Sequence, residues 1–589
     1  MIVKEDIESI IRQSLQTLEY DDDKVEVKFS SMPDLADFQY NNSFKIAKKM
    51  GKSPMEIAQS IVCSISDNDM FEFSAVKPAY VNVKLTKNAI TYYANIMLKD
   101  DNMCVKKVDK PEIIFMDYGG ANVAKALHMG HLRSPIIGEG LKRVFALFGN
   151  KVYSDVHFGD FGLQMGLTLA QLEDDGYFNF CSKNKTTTKN SEITLDLLNI
   201  EYPKASLRKK SEPDFKLKAD DYTLKLQNKQ EPYYSAYLQI REISVKEINK
   251  YYNLLNTHFD FLLGESDAAP YIDTAVQIFM DKGLAYNSGG ALVCDVAEEG
   301  EHIPIPKNND NEEQKYKNPM PPVLLKKYNG GDLYATTDIA TIYQRNKDFH
   351  PDKIIYVADN RQKQHFTQVF RACKKAGISP KGQELIYVPF GTMNGKDGKA
   401  FKTRGGDVVK LEDVYTMVVN KAQEKLKSNG VEDSNDLARM IGVSALKYGD
   451  LSNTISKDYI FDIDKFLSFE GKTGPYIQYN GARINSLLAK SDVEQGEINV
   501  LTTEESNIVI NILKQIESYE ICKTDLSLNA LCLALYNVAS AFSQFYNNIN
   551  ILKEKDVKRK QNLLAICSLV LKALKQGLNT LAIDMPEKM

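Results

Sequence analysis

Asn122-Val-Ala-Lys125-Ala-Leu-His128-Met-Gly130-His131-Leu-Arg-Ser134 sets two histidines about a glycine, between a short apolar run and a helical repeat. Upstream, Ile113-Ile114-Phe115-Met116 has the length and character of a buried parallel strand. Downstream, Leu132, Ile136, Leu141, Val144, Phe145 and Phe148 recur at helical spacing. The histidines therefore sit where a sheet delivers its chain into a helix N-terminus. Such a terminus offers unpaired N–H groups and a positive dipole end to phosphate oxygens. Two imidazoles add donors aimed at charge that develops when an α-phosphate is attacked. Gly130 lacks a Cβ, which lets a flat ring or a sugar approach the backbone. The plain alternative is a pair of satisfied core histidines. With seven His and 33 Gly in the chain, however, a His-x-Gly-His run arises by chance only about 0.005 times. The run points to adenylyl transfer from a nucleoside triphosphate and leaves the second substrate open.

Working outward, strands and helices alternate from residue 111 onward, as in an open parallel sheet covered on both faces. Lys353-Ile-Ile-Tyr-Val-Ala358 is a second buried strand, far along the chain from the first. The stretch from about 180 to 330 reads as an insertion, with polar surface loops at Ser182–Glu192 and Lys307–Lys317 and helical periodicity from Tyr233 to Phe261. An insertion between the two halves of a nucleotide-binding sheet leaves the crevice at its switch point intact. Residues 1–108 read as an α+β module: a helix with Ile7, Ile10, Ile11 and Leu15, a strand at Val25–Phe29, one helix around Phe44–Ile61, and a half-buried strand Tyr80–Leu85. Asp109-Lys110-Pro111 is a linker. After about residue 455 helical patterns dominate, at Tyr476–Lys490, Ile508–Ile521, Ala530–Asn548 and Lys560–Ala573. The fold class expected is α/β: a Rossmann-type parallel-sheet catalytic domain over 109–454, an N-terminal α+β module over 1–108 and an all-helical C-terminal domain over 455–589.

The 589 residues suit three or four domains at about 150 residues each. No stretch approaches the roughly 18 to 20 apolar residues of a membrane span, and the acidic N-terminus lacks the apolar core of a secretory signal. Eight cysteines are scattered without a Cys-x-x-Cys pair, which argues against structural zinc or a disulfide framework and for a reducing cytoplasm. A formal charge of −4 gives no global sign of nucleic-acid binding. An RNA partner would need local basic faces, such as Lys553, Lys555, Lys558, Arg559 and Lys560, whose plain reading is a solvated helix face.

Beyond the histidine run, the chain resembles the arginyl-tRNA synthetases, class I aminoacyl-tRNA synthetases, nearly throughout. Asp117 to Ser134 is similar to the family's version of the His-x-Gly-His motif. His157-Phe-Gly-Asp160-Phe161-Gly-Leu-Gln164-Met-Gly166 is similar to a family block that usually has tryptophan where Phe161 stands. Leu333-Tyr334-Ala-Thr-Thr-Asp338 resembles the amino-acid pocket, and Phe401-Lys402-Thr403-Arg404-Gly405-Gly406 the flexible loop. Gly474-Pro475-Tyr476-Ile-Gln478-Tyr479-Asn-Gly-Ala-Arg483 and the terminal Met585-Pro-Glu-Lys-Met589 continue the match. The N-terminal module is the weakest portion, since Asp34–Asn42 departs from the family's glycine-then-aspartate pattern.

The resemblance implies an arginine–tRNA ligase that uses ATP and Mg2+ to make arginyl-adenylate and passes arginine to the 3′ end of tRNA(Arg), as a cytoplasmic monomer with no membrane attachment. Arginine's guanidinium is a planar, permanently charged fork that needs a coplanar carboxylate and an aromatic wall. Tyr334 and Asp338, four apart on a helical turn, share a face and are the implied pair. Asp117 would hold the ammonium, Asn122 the carboxylate or amino end, and Gln362 would complete the pocket, with His365 nearby. His128, His131 and Lys125 are the implied catalytic groups. Gly130, Lys402 and Arg404 would meet ATP, Lys125 supplying the charge that the degenerate loop lacks. Tyr476, Gln478, Tyr479 and Arg483 would meet the anticodon loop, with one tyrosine expected to be buried. No residue is expected to ligate a metal, and no editing domain is expected. The rivals are another class I synthetase, a small-molecule adenylyltransferase and a non-catalytic RNA-binding paralogue.

Overall fold

The strand Ile113–Tyr118 buries Ile114, Phe115 and Met116 and lies inside a four-stranded parallel sheet. The computed structural model describes residues 1–180, 193–301, 319–327, 334–395, 398, 409–428, 430 and 435–589. The sheet runs Glu384–Phe390, Lys353–Asp359, Ile113–Tyr118, Lys151–Asp155. From its first strand the chain passes to one neighbour by way of the helix Arg133–Leu147 and reaches the other only after the insertion. The order therefore reverses between Ile113–Tyr118 and Lys353–Asp359, and a crevice opens beyond their carboxyl ends. Register sets Asp117 abreast of Asp155 on one side and of Tyr356 on the other.

The helix Arg133–Leu147 lies flush against this sheet because Gly138 faces Tyr118. A Cβ there would come within 2.1 Å of the tyrosine ring. Ser134 stitches the helix start to both strands at the reversal: its Oγ donates to the Val357 carbonyl at 2.6 Å and accepts the Gly119 N–H at 2.7 Å.

The expected insertion carries the helices Leu195–Ser211, Pro213–Gln227 and Tyr233–Leu254, packed on Leu163–Asp174. Gly166 permits that crossing, since a Cβ would stand 2.2 Å from the Ala219 carbonyl oxygen. The chain then rejoins the sheet edge, with Phe261 bridging to Asp155 and Gly264 to Phe158. The antiparallel sheet Ala285–Ser288, Ala291–Cys294, Val323–Lys326 follows, which no pattern in the sequence announces. The polar loops expected at Ser182–Glu192 and Lys307–Lys317 lie outside the described residues.

In the N-terminal module the single helix expected over Phe44–Ile61 is two, Ser43–Met50 and Pro54–Ser64. Gly51 turns the chain at φ 66°, and Ser53 and Glu56 close a capping box that starts the second helix. These helices cover an antiparallel sheet ordered Val27–Phe29, Phe38–Tyr40, Tyr80–Leu85, Phe71–Val76. The C-terminal helices are Gly474–Ala489, Thr503–Asp525, Asn529–Asn548 and Val557–Thr580. Of the basic run before and at the start of the last one, Arg559 pairs with Glu505 and Lys560 with Asp492, so this stretch is not a uniformly solvated face.

Candidate active site

A cavity of about 530 Å³ fills the crevice beyond the strand ends. His128, Gly130 and His131, Tyr334, Asp338 and Gln362, and Asp117 and Asn122 all line it. Residues drawn from five separate stretches of the sequence thus meet in one space at the switch point.

The two histidines are held in one tautomer by the turn that carries them. His128 Nδ1 accepts the Gly130 N–H and His131 Nδ1 accepts the His128 N–H, each at 3.1 Å. In a neutral imidazole the proton then rests on Nε2, leaving that N–H as the ring's free donor. Burial is the first cause that lowers both basicities, His131 to about 3, and the charge of Lys125 adds to it in each ring. The rings are 3.8 Å apart. Gly130 owes its identity to this packing as well, because a Cβ there would stand 2.9 Å from the His128 ring.

In the same cavity, Tyr334 stands at the start of the helix Tyr334–Phe349 with Asp338 one turn on. His365 joins them: its Nε2 hydrogen-bonds Asp338 Oδ2, and its ring stacks on Tyr334 at 4.5 Å. Gln362 ends the short turn Asn360–Gln362, which Asp359 caps at the Arg361 N–H.

Beneath them is a buried charge cluster. The Arg345 guanidinium lies 2.7 Å from Asp117 and 2.9 Å from Asp155, stacked on Phe115 and Tyr356. Burial opposes a charged His157, but its contact with Asp155 and the charge of Asp117 carry it up to about 9. Asp117, Asp155 and His157 also form the set of closely spaced ligand atoms found among the described residues. Arg345 and a charged His157 together balance the two carboxylates, so the set suits an internal ion-pair cluster better than a cation cage. Burial pushes Glu265 up to about 7, and Asp338 adds to the rise against the pull of His157. Nothing in the sequence patterns singles out Arg345 or Glu265, since Arg345 acts through partners 190 and 228 residues away and Glu265 through its surroundings; Ser134 stands in the motif run, but its bond to Val357 has no local signal. His157 stands in a motif but has no local signal for its charge.

Two expected phosphate ligands, Lys402 and Arg404, lie outside the described residues. Lys125 does not line the cavity. Its ammonium lies over the Tyr202 ring, 4.2 Å from the centroid.

A second hollow, on the helical domain, has Tyr476, Tyr479 and Arg483 in its wall, beside Ser543, Asn547 and Met589. Arg483 stacks on Tyr479 and Tyr546. Neither tyrosine is buried, against the expectation that one would be: Tyr479 is 38 % exposed and Tyr476 half-buried. The correction falls on Gln478. It is wholly buried, and its amide donates to the carbonyls of Asp584 and Met440, so it offers nothing to a partner at this surface.

Known proteins match this chain along most of its length. The family profile described as "tRNA synthetases class I (R), catalytic domain" matches residues 93–463. The "Arginyl tRNA synthetase N terminal domain" matches 5–85 and the "DALR anticodon binding domain" 477–589. The chain is similar to the arginine–tRNA ligase of Agathobacter rectalis, 38 % identical over 97 % of both chains. It is 36 % identical to that of Alkaliphilus oremlandii over the whole of both. Among solved structures, the arginyl-tRNA synthetase of Plasmodium falciparum superposes with a TM-score of 0.81 at 26 % identity, over 100 % of this chain and 99 % of that one. The Thermus thermophilus arginyl-tRNA synthetase shares the fold at 0.79 and 21 % identity, over the whole of both chains.

Proposed function

The chain belongs to the arginyl-tRNA synthetase family of class I and is an arginine–tRNA ligase, and we propose that it makes and uses arginyl-adenylate with the residues of this cavity. The observation that carries the reading is the meeting of the histidine pair with Tyr334 and Asp338 in the lining of one cavity at the switch point.

The guanidinium of arginine enters between Asp338 and Glu265 with the Tyr334 ring as its wall, displacing His365 from Asp338. Asp117 takes the α-ammonium through the carboxylate oxygen that Arg345 does not engage, and Asn122 and Gln362 fix the rest of the amino-acid end. A carboxylate oxygen of arginine then attacks Pα of ATP in line. The Pα–O bond to the β-phosphate breaks and pyrophosphate leaves. The Nε2–H groups of His128 and His131 donate to the oxygens that gain charge, from a site that needs no reorganisation. Lys125, Lys402 and Arg404 meet the departing phosphates. Mg2+ belongs to this proposal only as the ion that accompanies ATP, because magnesium is usually held by phosphates and few carboxylates. In the second step the terminal ribose hydroxyl of tRNA attacks the arginyl carbonyl and AMP leaves. Among the described residues no side chain stands out as the base, and the adenylate's own phosphate oxygen is the alternative.

Tyr476, Tyr479 and Arg483 offer stacking faces and donors of the kind unstacked loop bases require, and we assign them to the anticodon loop. The proposed division of labour is 1–108 for further tRNA contact, 109–454 for chemistry and 455–589 for the anticodon. Free cysteines among the described residues support a cytoplasmic setting, and we take the enzyme to act as a monomer. No described helix is long and apolar enough to cross a membrane.

Amino-acid-dependent exchange of pyrophosphate into ATP, run with each of the twenty amino acids with and without tRNA, tests the reading. Exchange with arginine alone is expected. Exchange with another amino acid, or none with arginine under either condition, would sink the pocket assignment.

A further inference from the structure

Lys125 stands three residues before His128, yet its ammonium rests on a ring outside the cavity. That ring, Tyr202, belongs to the insertion helix Leu195–Ser211, which has no part in the chemistry above. The same helix grips the neighbouring backbone, where Asn199 Oδ1 accepts the Ala126 N–H at 2.7 Å. Asn199 and Tyr202 are three apart and share a helix face. A second insertion helix, Tyr233–Leu254, holds the other flank: Ser244 Oγ accepts the Ala124 N–H at 3.1 Å and donates to the Ile240 carbonyl. Ala124 has φ 63°, a left-handed conformation uncommon for a residue with a Cβ. Residues 124–126 are therefore fixed one after another by the insertion, in a backbone path that delivers the Lys125 side chain to Tyr202.

We propose that Tyr202 is a positioning residue that keeps the Lys125 ammonium on its ring while the site is empty and yields it to the triphosphate, so that the insertion sets how readily the enzyme takes ATP. The inference rests on the reading of Lys125 as a phosphate ligand. A ring face attracts an ammonium through its quadrupole alone and cannot hold it against a polyanion. Each empty enzyme with Lys125 on the ring is nonetheless a state that ATP must displace. Removing the ring removes that state, leaves the ATP-bound enzyme as it was, and so tightens apparent ATP binding.

The test is arginine-dependent pyrophosphate exchange by the full-length protein with tRNA, titrated in ATP, for Tyr202→Ala, Tyr202→Leu, Tyr202→Phe, Lys125→Ala and the double variant of Tyr202→Leu with Lys125→Ala. Tyr202→Ala and Tyr202→Leu, the latter keeping bulk without a π-face, should lower KM for ATP about two- to five-fold, the factor that a partly exposed cation–π contact represents. The kcat and the KM for arginine should not change. Tyr202→Phe should match the parent, because the ring face is kept. In the Lys125→Ala background the Tyr202→Leu effect should vanish. An unchanged or raised KM for ATP in Tyr202→Leu, a fall in kcat, or a shift that persists without Lys125 overturns the proposal. If Lys125→Ala alone leaves both ATP parameters untouched, the reading of Lys125 fails first; if Lys125→Ala is impaired while Tyr202→Leu is silent, only the role of Tyr202 fails.

Discussion

Single side chains in this site are set by what holds their far ends. Both histidines spend Nδ1 on main-chain N–H groups of their own turn, which leaves Nε2–H as donor and makes the neutral form the working one. His131→Ala removes a donor to developing charge and should lower kcat for exchange by about 10²-fold or more, with KM for arginine little changed. In the arginine pocket that we propose, the carboxyl of Glu265, raised to about 7 by burial, supplies a pH dependence. A guanidinium binds the carboxylate and not the acid. KM for arginine should therefore fall as pH rises through about 7, and Glu265→Gln should flatten that limb while leaving KM for ATP in place. A parent enzyme whose arginine KM is level from pH 6 to 8 would remove Glu265 from the pocket.

At the scale of elements, the motif helix Arg133–Leu147 works because it lies hard against the sheet. Gly138 meets Tyr118 at a distance no Cβ can share, and Ser134 bonds to both strands that flank the reversal. Gly138→Ala must push the helix outward, an overpacking cost of about 1–3 kcal/mol, and the histidines lead directly into this helix. The expected result is a lower urea midpoint together with a larger loss of kcat than the loss of stability accounts for at the assay temperature. An alanine variant that is unfolded less readily than the parent would show that the contact is not tight. The break at Gly51 in the N-terminal module and the capping box at Ser53 are local signals of the same kind, legible as turn and cap residues, though the apolar spacing on either side runs on as if through one helix.

Across the whole molecule the catalytic sheet, the insertion and the helical domain meet at one junction. Lys447, wholly buried in the helix Asn435–Leu451, donates to the carbonyls of Leu255 and Ala582 at 2.7 Å each. Arg143 of the motif helix reaches Asn579, and Asn256 reaches Ala582 and Asp584. The last helix thus bonds through Asn579 to the helix that follows the histidines, while the tail after it is tied to Asn256 and Lys447. Burial brings Lys447 down from an ordinary 10.5 to about 7. Between those values the unfolded chain holds a proton that the folded one has released, so this group makes stability rise with pH across that window. Denaturation midpoints at pH 7 and pH 9 should show a gain in the parent that Lys447→Met lacks, and equal slopes in the two proteins would mean that Lys447 stays charged inside.

What the sequence determined by itself is whatever depends on short-range order. The apolar run at Ile113–Met116, the His-x-Gly-His spacing, the alternation of strand and helix patterns and the helical tail all rest on side-chain periodicity or on turn chemistry within a few residues, and they carry the fold class and the reaction type. That Tyr334 and Asp338 share a helix face was legible for the same reason, one turn of helix, but their pairing as a pocket was implied only by the family resemblance. Only the tertiary structure decided which residues complete the site. Arg345 lies more than 180 residues from the carboxylates it pairs, Glu265 is singled out by burial rather than by its neighbours in sequence, and the place of Lys125 depends on a tyrosine 77 residues downstream. Gln478 shows the converse: a polar residue beside exposed aromatics is turned inward because the chain end returns its carbonyls to it. Charge pairing, burial and long-range hydrogen bonds depend on where distant segments meet, which local periodicity does not encode.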